Sequence, residues 1–104
     1  MAAAGGGAVD FAYLERFAAG DAAVVGEVLD LFLSQAQGWA GRLDPADGGW
    51  RDVVHTIKGS ARGVGAFALG DACAQAEEEG PDALPGVRRA LAAALAEMRA
   101  YRGR

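Results

Sequence analysis

The chain has 104 residues, a net charge of −4, a single cysteine and a single histidine. That length fits one domain with its own core. The lone cysteine excludes an internal disulfide framework, the lack of a cationic stripe argues against a nucleic-acid partner, and no apolar run reaches the roughly 18 residues of a membrane span. The hydrophobic fraction of 52% includes 25 alanines, which let helices approach closely and suit a compact helical bundle.

Residues 1–8 are alanine and glycine after Met1. They lack the charged start and long hydrophobic segment of a signal peptide, so a disordered leader is expected over 1–8, one domain over 9–104, and a cytoplasmic location. The first helix is predicted from Asp10 to Ala18, with Phe11, Leu14 and Phe17 on one side and Gly20 ending it. Asp21 suits the N-cap of a second helix running to about Leu43, because its side chain can accept from the free N–H groups of the first turn. Val25, Val28, Leu29, Phe32, Ala36, Trp39 and Leu43 keep helical spacing there, while Gly26, Gly38 and Gly41 weaken it. This segment is more apolar than one buried face requires: Val24 and Leu31 lie to one side of the stripe and Leu33 to the other.

Asp44-Pro45-Ala46-Asp47-Gly48-Gly49 is a turn cluster. A third helix then starts near Gly49 and closes at Gly63-Val64-Gly65. The fourth carries Phe67, Leu69, Ala72, Cys73 and Ala76 and stops at Gly80-Pro81, with Cys73 read as a buried small hydrophobe. The fifth begins after Pro85-Gly86, with Val87, Leu91, Leu95 and Met98 as its stripe. Arg88, Arg89, Arg99, Arg102 and Arg104 spread around it as a solvated face. Short connections between amphipathic segments favour an all-α, up-down antiparallel bundle.

The third helix carries the chemistry. At about 100° per residue, Trp50, Val53, Val54, Ile57, Ala61 and Val64 share one face, and His55 falls nearly opposite its middle. Arg51, Asp52, Lys58, Gly59 and Arg62 lie beside it. Gly59, one turn on, costs about 1 kcal/mol of helix stability relative to alanine; its missing side chain lets another molecule approach the imidazole. A neutral imidazole is a good nucleophile at neutral pH. Lys58 and Arg62 can stabilise phosphoryl oxygens, and Asp52 can accept a ring proton and orient the imidazole. Each also has an ordinary explanation, since exposed cations solvate helices and a first-turn carboxylate favours the helix dipole. No zinc set, nucleophile elbow or phosphate-cradling loop occurs, so a partner must bring the reactive group.

The ordered run His55-Thr56-Ile57-Lys58-Gly59-Ser60-Ala61, then Gly65-Ala66, Leu69, Cys73 and Glu77, resembles the histidine-containing phosphotransfer (HPt) family of two-component phosphorelays. The likeness is close in the third and fourth helices and of pattern type elsewhere. It implies a four-helix bundle with a short extra N-terminal helix. It implies that His55 accepts a phosphoryl group from the aspartate of a response-regulator receiver domain and relays it to another, as a phosphohistidine carrier without kinase activity. Lys58 would act by charge and Gly59 by making room. The expected partners are receiver domains, including that of a hybrid histidine kinase, and the chain is expected to be a monomer. No cofactor is expected, magnesium belonging to the receiver. Ile57 replaces the commoner leucine, the position of Arg62 varies in the family, and Glu77 is read as structural or surface. The surplus apolar residues Leu31 and Leu33, with Tyr13 of the first helix, are expected to form a docking patch beside His55. The competing reading is a non-catalytic bundle that docks partners without phosphorylation, for which the His55-x-x-Lys58-Gly59 combination has little use. The phosphoacceptor helix of a histidine kinase usually has an acidic residue directly after the histidine, where this chain has Thr56.

Overall fold

The computed structural model describes residues 7–103; Met1 to Gly6 of the expected leader, and Arg104, lie outside the described residues. Five α-helices follow in order: α1 (Phe11–Phe17), α2 (Ala22–Ala36), α3 (Trp50–Gly63), α4 (Phe67–Glu79) and α5 (Leu84–Arg102), with single 3-10 turns at Ala40–Arg42 and Pro81–Ala83. Helices α2 to α5 form the predicted up-down antiparallel four-helix bundle, and α1 is the short extra helix. No strand occurs among the described residues, and no helix there is long and apolar enough to cross a membrane.

The caps explain the starts. Asp10 accepts from the Tyr13 N–H at 2.9 Å, and Asp21 accepts from Ala23 and Val24 at 3.0 and 3.3 Å, satisfying donors that a helix start leaves free. The ends differ from expectation in two places. Helix α2 stops at Ala36 instead of Leu43, where Gln37 and Gly38 give way to turns; Trp39 and Leu43 are still buried, carried to the core by the turn that follows. Helix α5 starts at Leu84, because Pro85 sits in the first turn, where its missing N–H has no intrahelical partner to lose.

The core follows the predicted stripes. Val25, Leu29, Phe32 and Ala36 of α2, Trp50, Val53, Val54, Ile57 and Ala61 of α3, Leu69, Cys73 and Ala76 of α4, and Val87, Leu91, Ala94 and Met98 of α5 are buried. Burying such side chains is worth about 1.5–3 kcal/mol each for the larger ones. Phe17 departs from this pattern: expected beside Phe11 and Leu14, it is 70% exposed. At about 100° per residue Phe17 lies roughly 120° around α1 from Phe11, beyond the side that Leu14 buries. Leu14 is buried and Phe11 stacks on Tyr101 with ring centres 4.4 Å apart.

Three residues join α3 to α4, and Gly65 makes this possible. Its φ is +86°, a left-handed conformation that favours glycine, and an added Cβ would lie 2.8 Å from the carbonyl oxygen of Asp10. The Asp10 N–H donates to the Gly65 carbonyl at 2.9 Å, and Tyr13 meets Phe67 edge-on at 5.2 Å. Helix α1 therefore caps the end of the bundle where α3 turns into α4 and α5 finishes. Ala8 and Val9 are already fixed there, both N–H groups donating to the Glu97 carboxylate at 3.0 Å.

Candidate functional site

The tight α3–α4 connection makes these helices an antiparallel hairpin. Its register is visible in the polar pairs across it: His55 and Lys58 meet Glu77, and Arg62 meets Asp71. His55 sits on the outward side of α3, its side chain 73% exposed. The imidazole Nδ1 lies 3.0 Å from Glu77 Oε2, and the Lys58 ammonium donates to Glu77 Oε1. One carboxylate thus spans a nucleophile and a cation. The side chains of Lys58 and Glu77 are only 23% and 27% exposed, so the pair is set into the surface while the ring stands out from it.

The electrostatics fix the proton. The Glu77 carboxyl is held below its ordinary range, first by the hydrogen bond from Lys58 and then by that from His55. It is therefore an ionised, acceptor-only group at neutral pH, and Nδ1 must carry the hydrogen that points to it. In the neutral ring this leaves the lone pair on Nε2.

Gly59 lies one turn after His55, and a Cβ added there meets nothing within 4 Å. Asp52 is exposed in the first turn of α3. By helical angle it lies roughly 60° to one side of His55, and Lys58 roughly 60° to the other. Helix α4 packs on the Lys58 side, so the ring's carboxylate partner is Glu77 and not Asp52. Arg62 points to α4 as well: its guanidinium is 3.9 Å from Asp71, and its stem lies over Gly70, 2.9 Å from where a Cβ would be. It stands two turns, roughly 10 Å, along the helix from His55, engaged with α4 instead of the ring.

Glu77 is the residue that reading the sequence undervalued. Its signal is the spacing Leu69, Cys73, Glu77, which continues a buried stripe of α4 with a carboxylate. Cys73, one turn earlier, is buried, and burial first and then the Glu77 charge push its thiol up to about 11, so it contributes no thiolate to the site.

Of the apolar surplus, Leu31 is 60% and Val24 37% exposed, while Leu33 packs partly against the core and Tyr13 is half-buried. Leu31 lines a shallow groove of about 210 Å³ with Val28, Phe32, Gln35, Ser60 and Val64. The groove runs between α2 and the later half of α3, where Ser60 lies roughly 140° around the helix from His55 and away from Glu77. Phe67, at the start of α4, adds another partly exposed ring at 41%. Among the described residues no group of three metal-ligating side chains occurs.

Comparisons with known proteins give the family. The family model of the Hpt domain matches residues 27–101. The chain is 62% identical to histidine phosphotransferase ShpA from Caulobacter crescentus, whose crystal structure it matches with a TM-score of 0.82 over 91% of this chain and 90% of that one. No curated protein matches. A bundle that presents one histidine on an outward helix face, matched to the family over most of its length, belongs to the Hpt domain family, whose function is histidine phosphotransfer in two-component systems.

Proposed function

We propose that this chain is a phosphorelay intermediate: His55 takes a phosphoryl group from the aspartyl phosphate of one response-regulator receiver domain and gives it to the aspartate of another, one of the two being the receiver of a hybrid histidine kinase. The observation that carries this reading is the exposed imidazole tied by Nδ1 to Glu77 at 3.0 Å, with Nε2 left as the nucleophile. Attack by Nε2 needs in-line approach at close range and charge stabilisation more than covalent help from the protein. Gly59 gives the receiver its approach. Lys58, held by Glu77 beside the ring, offsets charge on the phosphoryl oxygens, and Arg62 adds a longer-range positive field. Asp52 borders the open flank, where it shapes the field met by an incoming receiver.

The receiver docks on the Leu31 groove; Leu33, on the other side of α2 and packed partly against the core, and Tyr13 do not line it. Exposed apolar side chains gathered on the surface of a small protein mark partner sites. The chain itself binds no cofactor; the magnesium ion of the reaction belongs to the receiver. It acts as a monomer in the cytoplasm and has no kinase activity of its own.

Incubation with a phosphorylated receiver tests this. The expected result is label on this chain that is acid-labile and base-stable, as phosphohistidine is. Binding to receivers without any label transfer would support the docking-only reading. Leu31→Ser is expected to weaken receiver binding with little change in thermal stability, whereas Leu33→Ser, partly in the core, is expected to lower both.

A further inference from the structure

Arg51 stands one turn before His55 on α3, about 6 Å along the axis and roughly 40° around it. Gly59 holds the matching place one turn after. The imidazole therefore has an open gap on one side and a guanidinium on the other. Side chains four apart on a helix are neighbours, and a helical side chain covers the turn before its own Cα, which for His55 is the turn of Arg51. Helix α3 carries three cations. Lys58 donates to Glu77, and Arg62 lies 3.9 Å from Asp71. Arg51 forms no ion pair among the described residues. Asp47, one turn before it, accepts from Arg42 at 3.2 Å, and Asp52 is exposed to solvent. The Arg51 guanidinium instead lies over the Trp50 ring, 4.4 Å from its centre. Trp50 is only 8% exposed, so a ring anchored in the core holds this cation at the surface without neutralising it.

We infer, on the phosphoacceptor role of His55 proposed above, that Arg51 is a phosphoryl-binding residue. It rests on Trp50 while His55 is free and turns to the phosphoryl oxygens once His55 carries the group. Phosphorylation places about two negative charges and three acceptor oxygens one turn from this cation. A cation–π contact at a site open to water is weaker than a charge-assisted hydrogen bond to such an oxygen, so the arrival of the group reverses the balance. Lys58 keeps its bond to Glu77 and acts from where it stands. Arg51, with no carboxylate to leave, is the cation on α3 that can change partner. It makes and breaks no covalent bond. It holds the phosphoryl group from the side opposite Gly59, and the gap at Gly59 stays open for a receiver.

The test uses the full chain, 15N-labelled and phosphorylated with phosphoramidate, a small donor that needs no receiver. The Nε–H signal of Arg51 and the indole N–H signals of Trp50 and Trp39 are read before and after labelling, in the wild type, Arg51→Gln and Arg62→Gln. Trp39, edge-on to Phe32 at 5.2 Å, is the internal reference. In the wild type, labelling should move the Arg51 signal downfield, because the group leaves the shielding face of a ring and bonds to an anion. The Trp50 signal should move with it while Trp39 stays. In Arg51→Gln the free chain should already show Trp50 near its position in the labelled wild type, and labelling should add little. Arg62→Gln removes a cation paired to Asp71 and should respond as the wild type does. Both arginines are exposed, so neither change touches the core, and helical circular dichroism checks the fold. A Trp50 signal that moves equally in the wild type and Arg51→Gln would overturn the inference, as would an unmoved Arg51 signal beside labelled His55; either result leaves His55 as the phosphoacceptor. If phosphoramidate gives the expected shifts but no receiver labels the chain, the relay reading fails and the role of Arg51 stands.

Discussion

Among the glycines that lie inside helices of this bundle, Gly26 and Gly59 have opposite surroundings. At Gly26 on α2 an added Cβ would lie 2.7 Å from a guanidinium nitrogen of Arg102. That guanidinium is held over the glycine by two 2.9 Å bonds to Asp30. At Gly59 on α3 a Cβ would meet nothing within 4 Å. The first glycine makes room for the chain's own C-terminal turn, which also binds Glu15 through the Tyr101 hydroxyl at 2.6 Å. The second leaves space beside His55 that the chain does not use. A glycine inside a helix is therefore not a mark of function; what fills the gap decides. The carboxylates repeat the contrast. Asp30 is closed into a two-pronged clasp between helices, whereas Glu77 divides its oxygens between a cation and an exposed nucleophile.

The largest effect is expected at His55. His55→Gln should abolish label transfer from a phosphorylated receiver and leave the helical circular dichroism unchanged, since the side chain contributes almost no burial. Residual acid-labile label on this variant would place the phosphoacceptor elsewhere.

The glycines come next. Gly59→Leu should slow transfer from a receiver on the order of a hundredfold, because the new side chain blocks in-line approach. The helix should meanwhile gain about 1 kcal/mol in propensity, read from chemical denaturation. Gly26→Ala should transfer phosphate at the wild-type rate, with a smaller gain in stability, because its Cβ displaces Arg102. Equal transfer in both variants would erase the distinction between an occupied and an open gap.

Acid should loosen both carboxylate bridges. Hydrogen bonding to Arg102 holds Asp30, and hydrogen bonding to Lys58 and His55 holds Glu77, below their ordinary values of 3.8 and 4.5. A group with a lowered folded value stabilises the fold above its unfolded value, and that contribution is lost as pH falls through the folded one. Urea midpoints should therefore decline as the pH drops below 4.5, less steeply in Glu77→Gln and Asp30→Asn than in the wild type. The smallest effect concerns Cys73, whose thiol is pushed up to about 11 by burial. In the folded protein it should resist iodoacetamide at pH 8, and it should react once the chain is unfolded in urea.

The helical faces, the outward position of His55 and the position of Gly59 were determined by the sequence alone. Each depends only on the angle between residues of one helix, which is the same wherever that helix packs. Apolar spacing fixes the buried side of α3, and everything opposite it is then exposed. Helix ends were legible where a local group makes the cap, as at Asp10 and Asp21, and misplaced where a glycine-weakened segment ran on, as beyond Ala36. What joins one helix to another was decided by the tertiary structure. Glu77 became the partner of both His55 and Lys58 because a three-residue turn sets the register of α4 against α3, and helical spacing within either helix carries no record of that register. The same holds for Arg102 over Gly26 and for the exposure of Phe17. Such contacts come from the meeting of segments distant in the chain, and only the packed bundle brings them within reach.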